Sequence, residues 1–327
     1  MKRKIALVTG GYSGESVISY KSADTIYQNL DKDKWETYMV DIHPEGWFHI
    51  TAGGEKIYVD KNDFSLTINN NKINFDAVLV GLHGTPGEDG KLQGYFDCLK
   101  IPYTSCDAAS SALTFNKRYT VAVAAFAGLN VARSVHLFKA NPIRGEDVLR
   151  QLSLPVFVKP NNGGSSLGMS KVSDASQLDA AIKKAFEVDD QVLVEEFIRG
   201  REFTIGVFKT KGNIVPLPIT EIISKNEFFD FEAKYEGASD EITPARVDEA
   251  IANLVRENAL KAYQVFNCNG VVRMDFIYNE SAGQPYLLEI NTVPGQSAAS
   301  IVPQQVRAMG WTLTEFYTAL LNECFEA

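Results

Sequence analysis

The sequence predicts an α/β protein whose later part becomes α+β, and three observations carry that expectation. Through the opening third, short β-rich runs ending in glycine loops alternate with amphipathic helices. Further on, residues 270–290 alternate apolar and polar side chains around a short turn, the pattern of an antiparallel hairpin. The length, 327 residues, exceeds what one compact core usually needs, so two or three domains are expected.

The first strand is expected at Lys4–Thr9, followed by the turn residues Gly10 to Gly14. From Ser16 to Leu30 the apolar positions Val17, Ala23, Ile26 and Leu30 recur near the helical repeat. Strands follow at Glu36–Ile42 and Phe75–Leu82, separated by a polar β-hairpin excursion over 44–74 with turns at Gly53-Gly54 and Asn69–Asn71. A helix at Leu92–Leu99 closes a parallel α/β unit over residues 1–105. A second unit, 106–200, holds the helix Asn116–Gly128, the strand Val156–Lys159, the helix Ala175–Phe186 and the strand Gln191–Phe197. The third, 201–327, has the strand Glu202–Lys209, a polar loop at 224–244 and the helix Asp248–Phe266. Its hairpin pairs Gly270–Tyr278 with Pro285–Ile290, and a last helix spans Leu313–Cys324.

Composition narrows the function classes. A net charge of −9 argues against a nucleic-acid or anionic-membrane surface, since either would reward a basic patch. The N-terminus begins like a signal peptide, but its apolar run Ile5–Val8 is too short and ends in glycine. Cys98, Cys106, Cys268 and Cys324 are too irregularly spaced for a zinc site or a disulfide framework, which leaves reduced thiols in a cytoplasmic protein.

Side chains two apart on a strand share a face, so Arg273 and Asp275 point one way, as do Glu289 and Asn291 on the partner strand. Val272, Met274, Phe276, Leu288 and Ile290 are expected to face the core. Two carboxylates and an amide oxygen suit Mg²⁺, and Arg273 could steady a transferring phosphoryl group. A solvated face with one cross-strand ion pair reads equally well. The following Thr292-Val293-Pro294-Gly295 is either a simple turn or a place where a glycine amide serves an oxyanion. Lys159 ends a strand and precedes NNGGSSLG, either a phosphate-cradling loop with a lysine point charge or a flexible surface loop. It is not a Walker A loop. Gly10-Gly11-Tyr12-Ser13-Gly14-Glu15 fails the dinucleotide fingerprint, and Glu15 could stabilise a helix start or bind an ammonium. His83 lies in a second strand-end glycine loop.

Taken in order, the runs GGYSGE, GLHGTPGEDGKLQG, VKPNNGGSSLGMSKV, FDFEAKY, VVRMDF and YLLEINTVPG resemble the D-alanine–D-alanine ligases of the ATP-grasp superfamily across nearly the whole chain. The resemblance implies an ATP-grasp fold behind an N-terminal Rossmann-like domain. It implies ligation of two D-alanines through a D-alanyl phosphate for peptidoglycan precursors, with ADP and phosphate released. ATP and two Mg²⁺ ions (Mn²⁺ able to replace them) are the expected cofactors, and a homodimer the expected assembly. By the same resemblance, Glu15 would hold the first ammonium and form a closing triad with Ser165 and Tyr235, with His83 beside that substrate. Lys117, Lys159, Ser166 and Lys234 would contact phosphates, while Glu195, Glu196, Phe197, Ile198 and Glu202 would surround adenine and ribose. Asp275, Glu289 and Asn291 would hold Mg²⁺, Arg273 and Gly295 the tetrahedral intermediate, and Ser300 and Ile301 the second substrate. This chain has Glu195-Glu196-Phe197-Ile198 where the family often reads E-K-W-L, and 44–74 matches least. Three rivals are a D-alanine–D-lactate ligase, disfavoured by Tyr235, a nucleotide-binding regulatory protein without catalysis, and an NAD(P)-dependent dehydrogenase, which lacks its fingerprint.

Overall fold

The computed structural model describes residues 2–141, 143–164, 168–224 and 239–326. The first sheet is built on β1 (Arg3–Gly10), whose parallel neighbours are β2 (Trp35–His43) and the later strand β7 (Ala77–Val80). Strand β1 is buried from Ile5 onward, as a central strand covered on both faces should be. The helix α1 (Ser16–Asn29) packs on it through Ser19, Ser22, Ala23 and Ile26. Val17, expected on that face, is 58% exposed, because the inward stripe passes through the serines instead.

The 44–74 segment is two hairpins and not one. β3 (Gly46–Ile50) and β4 (Lys56–Tyr58) extend the first sheet antiparallel from β2. β5 (Leu66–Ile68) and β6 (Asn71–Ile73) pair separately, turning at Asn69 and Asn70, both at positive φ. Nor is the segment merely polar: Val59, Phe64, Leu66 and Ile73 are buried in one cluster with Phe75 and Phe96. The helix α2 (Lys91–Leu99) completes this side.

Helices α3 (Ala108–Phe115) and α4 (Lys117–Phe126) begin at side-chain caps: Asp107 accepts from Ser110 N at 2.7 Å, and Asn116 accepts from Tyr119 N at 3.0 Å. The second sheet is antiparallel, in the order β10-β9-β11-β8. Its strands are β8 (Ser134–Phe138), β9 (Val156–Pro160), β10 (Ser170–Val172) and β11 (Gln191–Glu196). The short α5 (Gly145–Leu149) and α6 (Leu178–Ala185) close a separate apolar cluster on it.

The third sheet centres on β12 (Arg201–Thr210), with β13 (Asn213–Pro216) and β14 (Thr220–Ser224) on one edge. β15 (Ser239–Ile242), inside the expected polar loop, pairs with β14. The hairpin β16 (Val271–Asn279) and β17 (Gln284–Asn291) lies on the other edge, backed by α7 (Glu249–Val265). Helices α8 (Ile301–Ala308) and α9 (Leu313–Glu326) end the chain, α9 starting in a capping box between Thr312 and Glu315. Their apolar faces join one cluster with Ile5 and Leu7 of the first sheet, Ala23 and Ile26 of α1, and Phe208 and Val271 of the third sheet. No helix among the described residues is long and apolar enough to cross a membrane.

Candidate active site

The β16–β17 register places Asp275 directly opposite Glu289 and Arg273 opposite Asn291. Val272, Met274, Phe276, Leu287 and Ile290 are buried behind them. A β-bulge after Asp275 pairs Phe276 with Leu287, so Leu288 is the extra residue. Strict alternation puts Leu288 in the core. The bulge gives that place to Leu287, and Leu288 lines a cavity. It also lets Glu289 and Asn291 face the same side as Asp275.

Two carboxylates paired directly across a hairpin repel each other unless a cation sits with them. In this structure the cation is Arg273, whose Nε and second terminal nitrogen lie 2.9 and 2.8 Å from the two oxygens of Asp275. The same guanidinium is 3.7 Å from Glu289. The Thr204 hydroxyl donates to Asp275 as well. Asn291 contributes a buried amide nitrogen with no hydrogen-bond partner among the described residues. No three His, Cys, Asp or Glu side chains among the described residues converge as a metal site. The set is instead two carboxylates and an amide, and its hard oxygens on one face fit Mg²⁺.

Two cavities meet at this hairpin. One, about 310 Å³, is walled by Glu15, His83, Arg273, Gly295, Ser300 and Ile301, among others. The other, about 560 Å³, is walled by Lys159, Glu195, Glu196, Phe197, Ile198 and Glu202, with Asp275 and Leu288. Glu15, Lys117, Gly163, Gly164 and Glu289 belong to both. The structure thus sorts most of the expected nucleotide residues to one side and the expected amino-acid residues to the other. Ser165, Ser166, Lys234 and Tyr235 lie outside the described residues.

In the larger cavity Lys159 forms an ion pair with Glu195, both nearly buried. The Phe197 ring sits 5.8 Å from Phe157 with Lys171 over it at 4.9 Å, while its N–H donates to Pro155 O at 3.2 Å. Lys117 begins α4 and donates from Nζ to the Gly163 carbonyl at 2.6 Å, tying the helix start to the glycine loop.

Glu15 stands between two glycines that leave it room. A Cβ on Gly84 would meet its Oε2 at 2.5 Å, and one on Gly164 its Oε1 at 2.6 Å. Gly84 also holds φ +68, which L side chains rarely adopt. The histidine of this loop is buried, and burial pushes its pKa down to about 4, so His83 is neutral at ordinary pH.

Two acidic side chains on the smaller cavity escape a reading of the sequence by residue type. Glu88 accepts the Gly84 N–H at 2.9 Å; burial, then the charge of Glu15, raises its pKa to about 8. Glu241 on β15 accepts from Gln304 Nε2 at 2.7 Å, and burial raises its pKa too. The signal for Glu88 lay in the GEDG run. Glu241 had none, because only the β14–β15 pairing carries it to the site.

Comparison with known proteins matches this arrangement. The D-ala D-ala ligase N-terminus model covers residues 4–106 and the D-ala D-ala ligase C-terminus model residues 117–322. A D-alanine–D-alanine ligase of Parabacteroides distasonis is 46% identical over 99% of this chain and 98% of its own length. That of Flavobacterium johnsoniae is 44% identical over 97% of both. Among solved structures, the VanG D-Ala:D-Ser ligase from Enterococcus faecalis superposes with a TM-score of 0.88 at 30% identity, covering 99% and 100% of the two chains. The Bacillus anthracis D-alanine–D-alanine ligase complexed with ATP gives 0.79 at 27%, covering 99% of each. Sequence and fold agree from end to end: the chain belongs to the D-alanine–D-alanine ligase family, ATP-dependent dipeptide-forming enzymes of the ATP-grasp fold.

Proposed function

We propose that this chain joins two D-alanines through a D-alanyl phosphate, with the roles of its residues set by the two cavities and their common wall. The observation that carries the reading is that wall. Glu15, Lys117, the Gly163-Gly164 backbone and Glu289 border both spaces, so a nucleotide's terminal phosphate and an amino acid's carboxylate would meet there.

A carboxylate is a poor electrophile, and phosphorylation gives its carbon a leaving group. Glu15 would hold the first ammonium, with Ser165 and Tyr235 as its closing partners. Lys117, Lys159 and Lys234 would spread the charge of the moving phosphoryl group, and Ser166 would add a loop contact. Glu195, Glu196, Phe197, Ile198 and Glu202 would bind the base and ribose. Two Mg²⁺ ions would be held by Asp275, Glu289 and Asn291, and when bound they neutralise phosphate charge. Arg273, then loosened from Asp275, and the Gly295 amide would meet the oxyanion formed when the second amine attacks. Ser300, at the start of α8, and Ile301 would take the second carboxylate. An acyl phosphate hydrolyses readily, so the glycine loop has reason to exclude water. The place of such an enzyme is the cytoplasm, where ATP is available.

A D-Ala:D-Ser ligase among the solved relatives makes the acceptor the open choice. ADP release measured in parallel with D-alanine, L-alanine, D-serine and D-lactate tests the reading. D-alanine-dependent ADP release with dipeptide as the main product is expected. Turnover indifferent to D-alanine would overturn it, and a larger kcat/KM for D-serine would reassign the acceptor.

A further inference from the structure

His83 lines the amino-acid cavity, yet both of its ring nitrogens are already engaged. Nδ1 lies 2.7 Å from the carbonyl oxygen of Val293, and Nε2 lies 2.8 Å from the Ser22 hydroxyl. A carbonyl can only accept, so Nδ1 carries the proton. The neutral ring then accepts at Nε2, and Ser22 donates to it. With its proton so directed, the Ser22 oxygen accepts the backbone N–H of Gln296 at 3.1 Å. The Gln296 side chain continues inward: its Nε2 donates to Pro294 O at 3.3 Å, and its Oε1 accepts from the Tyr317 hydroxyl at 3.2 Å. The backbone of His83 is itself fixed, donating to Ser19 Oγ at 2.9 Å.

These bonds fall on the residues either side of one position. Val293, Pro294 and Gln296 are each held, while Gly295 takes no part and faces the cavity. The holding groups come from three distant segments, α1, the strand-end loop and α9, and every one is buried: Ser22 0%, His83 6%, Gln296 4%, Tyr317 1% exposed. A network satisfied this fully and this dry is stiff, because each member has its alternatives removed. Stiffness matters for an oxyanion donor, which must already point at the charge when the charge appears. Misplacement by about 1 Å can cost on the order of 100-fold in rate.

We propose that Ser22, His83 and Gln296 form a buried hydrogen-bonded clamp that sets the position of the Gly295 N–H for the developing oxyanion. The proposal rests on the reading of Gly295 as that donor. Ser22 and Gln296 are then positioning residues, and His83 acts through Val293 and not by a polar contact to the first amino acid.

Ser22→Ala removes the link between ring and Gln296 without adding volume. Its kcat for dipeptide synthesis should fall about 10- to 100-fold, while KM for ATP and for both amino acids stays within about twofold. Combined with His83→Asn, it should lose far less than the product of the two single losses, since the pair acts as one unit. A role confined to stability predicts a lower Tm with kcat intact well below it, and that result would overturn the proposal. If Ser22→Ala does not fold, Tyr317→Phe deletes only one hydroxyl at the far end. A kcat loss of a few-fold with unchanged KM supports the clamp, and an unchanged kcat overturns it. Gly295→Pro, which removes the N–H itself, separates the two claims. Full activity there sinks the Gly295 reading itself. Activity lost in Gly295→Pro but kept in Ser22→Ala sinks the clamp alone.

Discussion

Glu88 sits on the wall of the smaller cavity, accepting the Gly84 N–H, in surroundings that disfavour its ionised form. Its pKa rises from 4.5 to about 8, first through burial and then through the charge of Glu15. Between those values an unfolded chain has released the proton that the folded chain keeps, so this group's contribution to stability falls as pH rises from 4.5 to about 8. His83 works the opposite way. Its pKa is lowered from 6.5 to about 4, so the unfolded chain gains a proton first and stability falls as pH drops through that window. Glu88→Gln keeps the Gly84 bond and removes the ionisation. Its Tm relative to the parent chain should therefore climb between pH 5 and pH 8.5, by an amount equivalent to a few kcal/mol at most. A Tm difference flat across that range would show that Glu88 is ionised in the folded state.

At the scale of elements, the β16–β17 hairpin decides which side chains reach the cleft. Leu287 is in the core and Leu288 borders the larger cavity. Leu287→Ala should destabilise by about 2–5 kcal/mol, the usual range for a buried leucine. Leu288→Ala should cost well under half of that and instead raise KM for ATP several-fold. Chemical denaturation and initial-rate kinetics on both variants check the assignment, and exchanged phenotypes would refute the bulge. The hairpin also shows how far sequence reasoning reaches. Arg273, Asp275, Glu289 and Asn291 were legible as one face because period-two alternation holds near the ends of the strands. The bulge was not, since one extra residue leaves no mark in composition. β8 (Ser134–Phe138) is short and mixed, and α8 carries Pro303, tolerated in its first turn but reading as a breaker. Glu241 joins the site through strand pairing far along the chain, which no local pattern encodes. The substrate identities were legible only through resemblance, and the two-cavity layout with its common wall only from the fold.

The whole molecule is held by clusters that do not respect the order of the chain. Phe316, Leu320 and Leu321 of α9 share one cluster with Ile5 and Leu7 of β1 and with Phe208 and Val271 of the third sheet. The second sheet closes its own cluster around Val156, Val158, Val192 and Val194. Leu320→Ala should therefore loosen the first and third sheets together. Backbone amide exchange should speed up in β1 and β12 alike, while β8–β11 stay as protected as before. Faster exchange confined to α9, or spread equally to the second sheet, would contradict that partition.

The same cluster sets an order of events at birth. During synthesis β1 and α1 emerge well before α8 and α9, the helices that cover their inner face, with the second and third sheets made in between. At ordinary elongation rates that interval is on the order of tens of seconds. For that time Ile5, Leu7, Ala23 and Ile26 lack the cover they have in the finished fold. A nascent chain stalled before α8 would carry that apolar surface uncovered, the kind that chaperones hold and that neighbouring chains stick to.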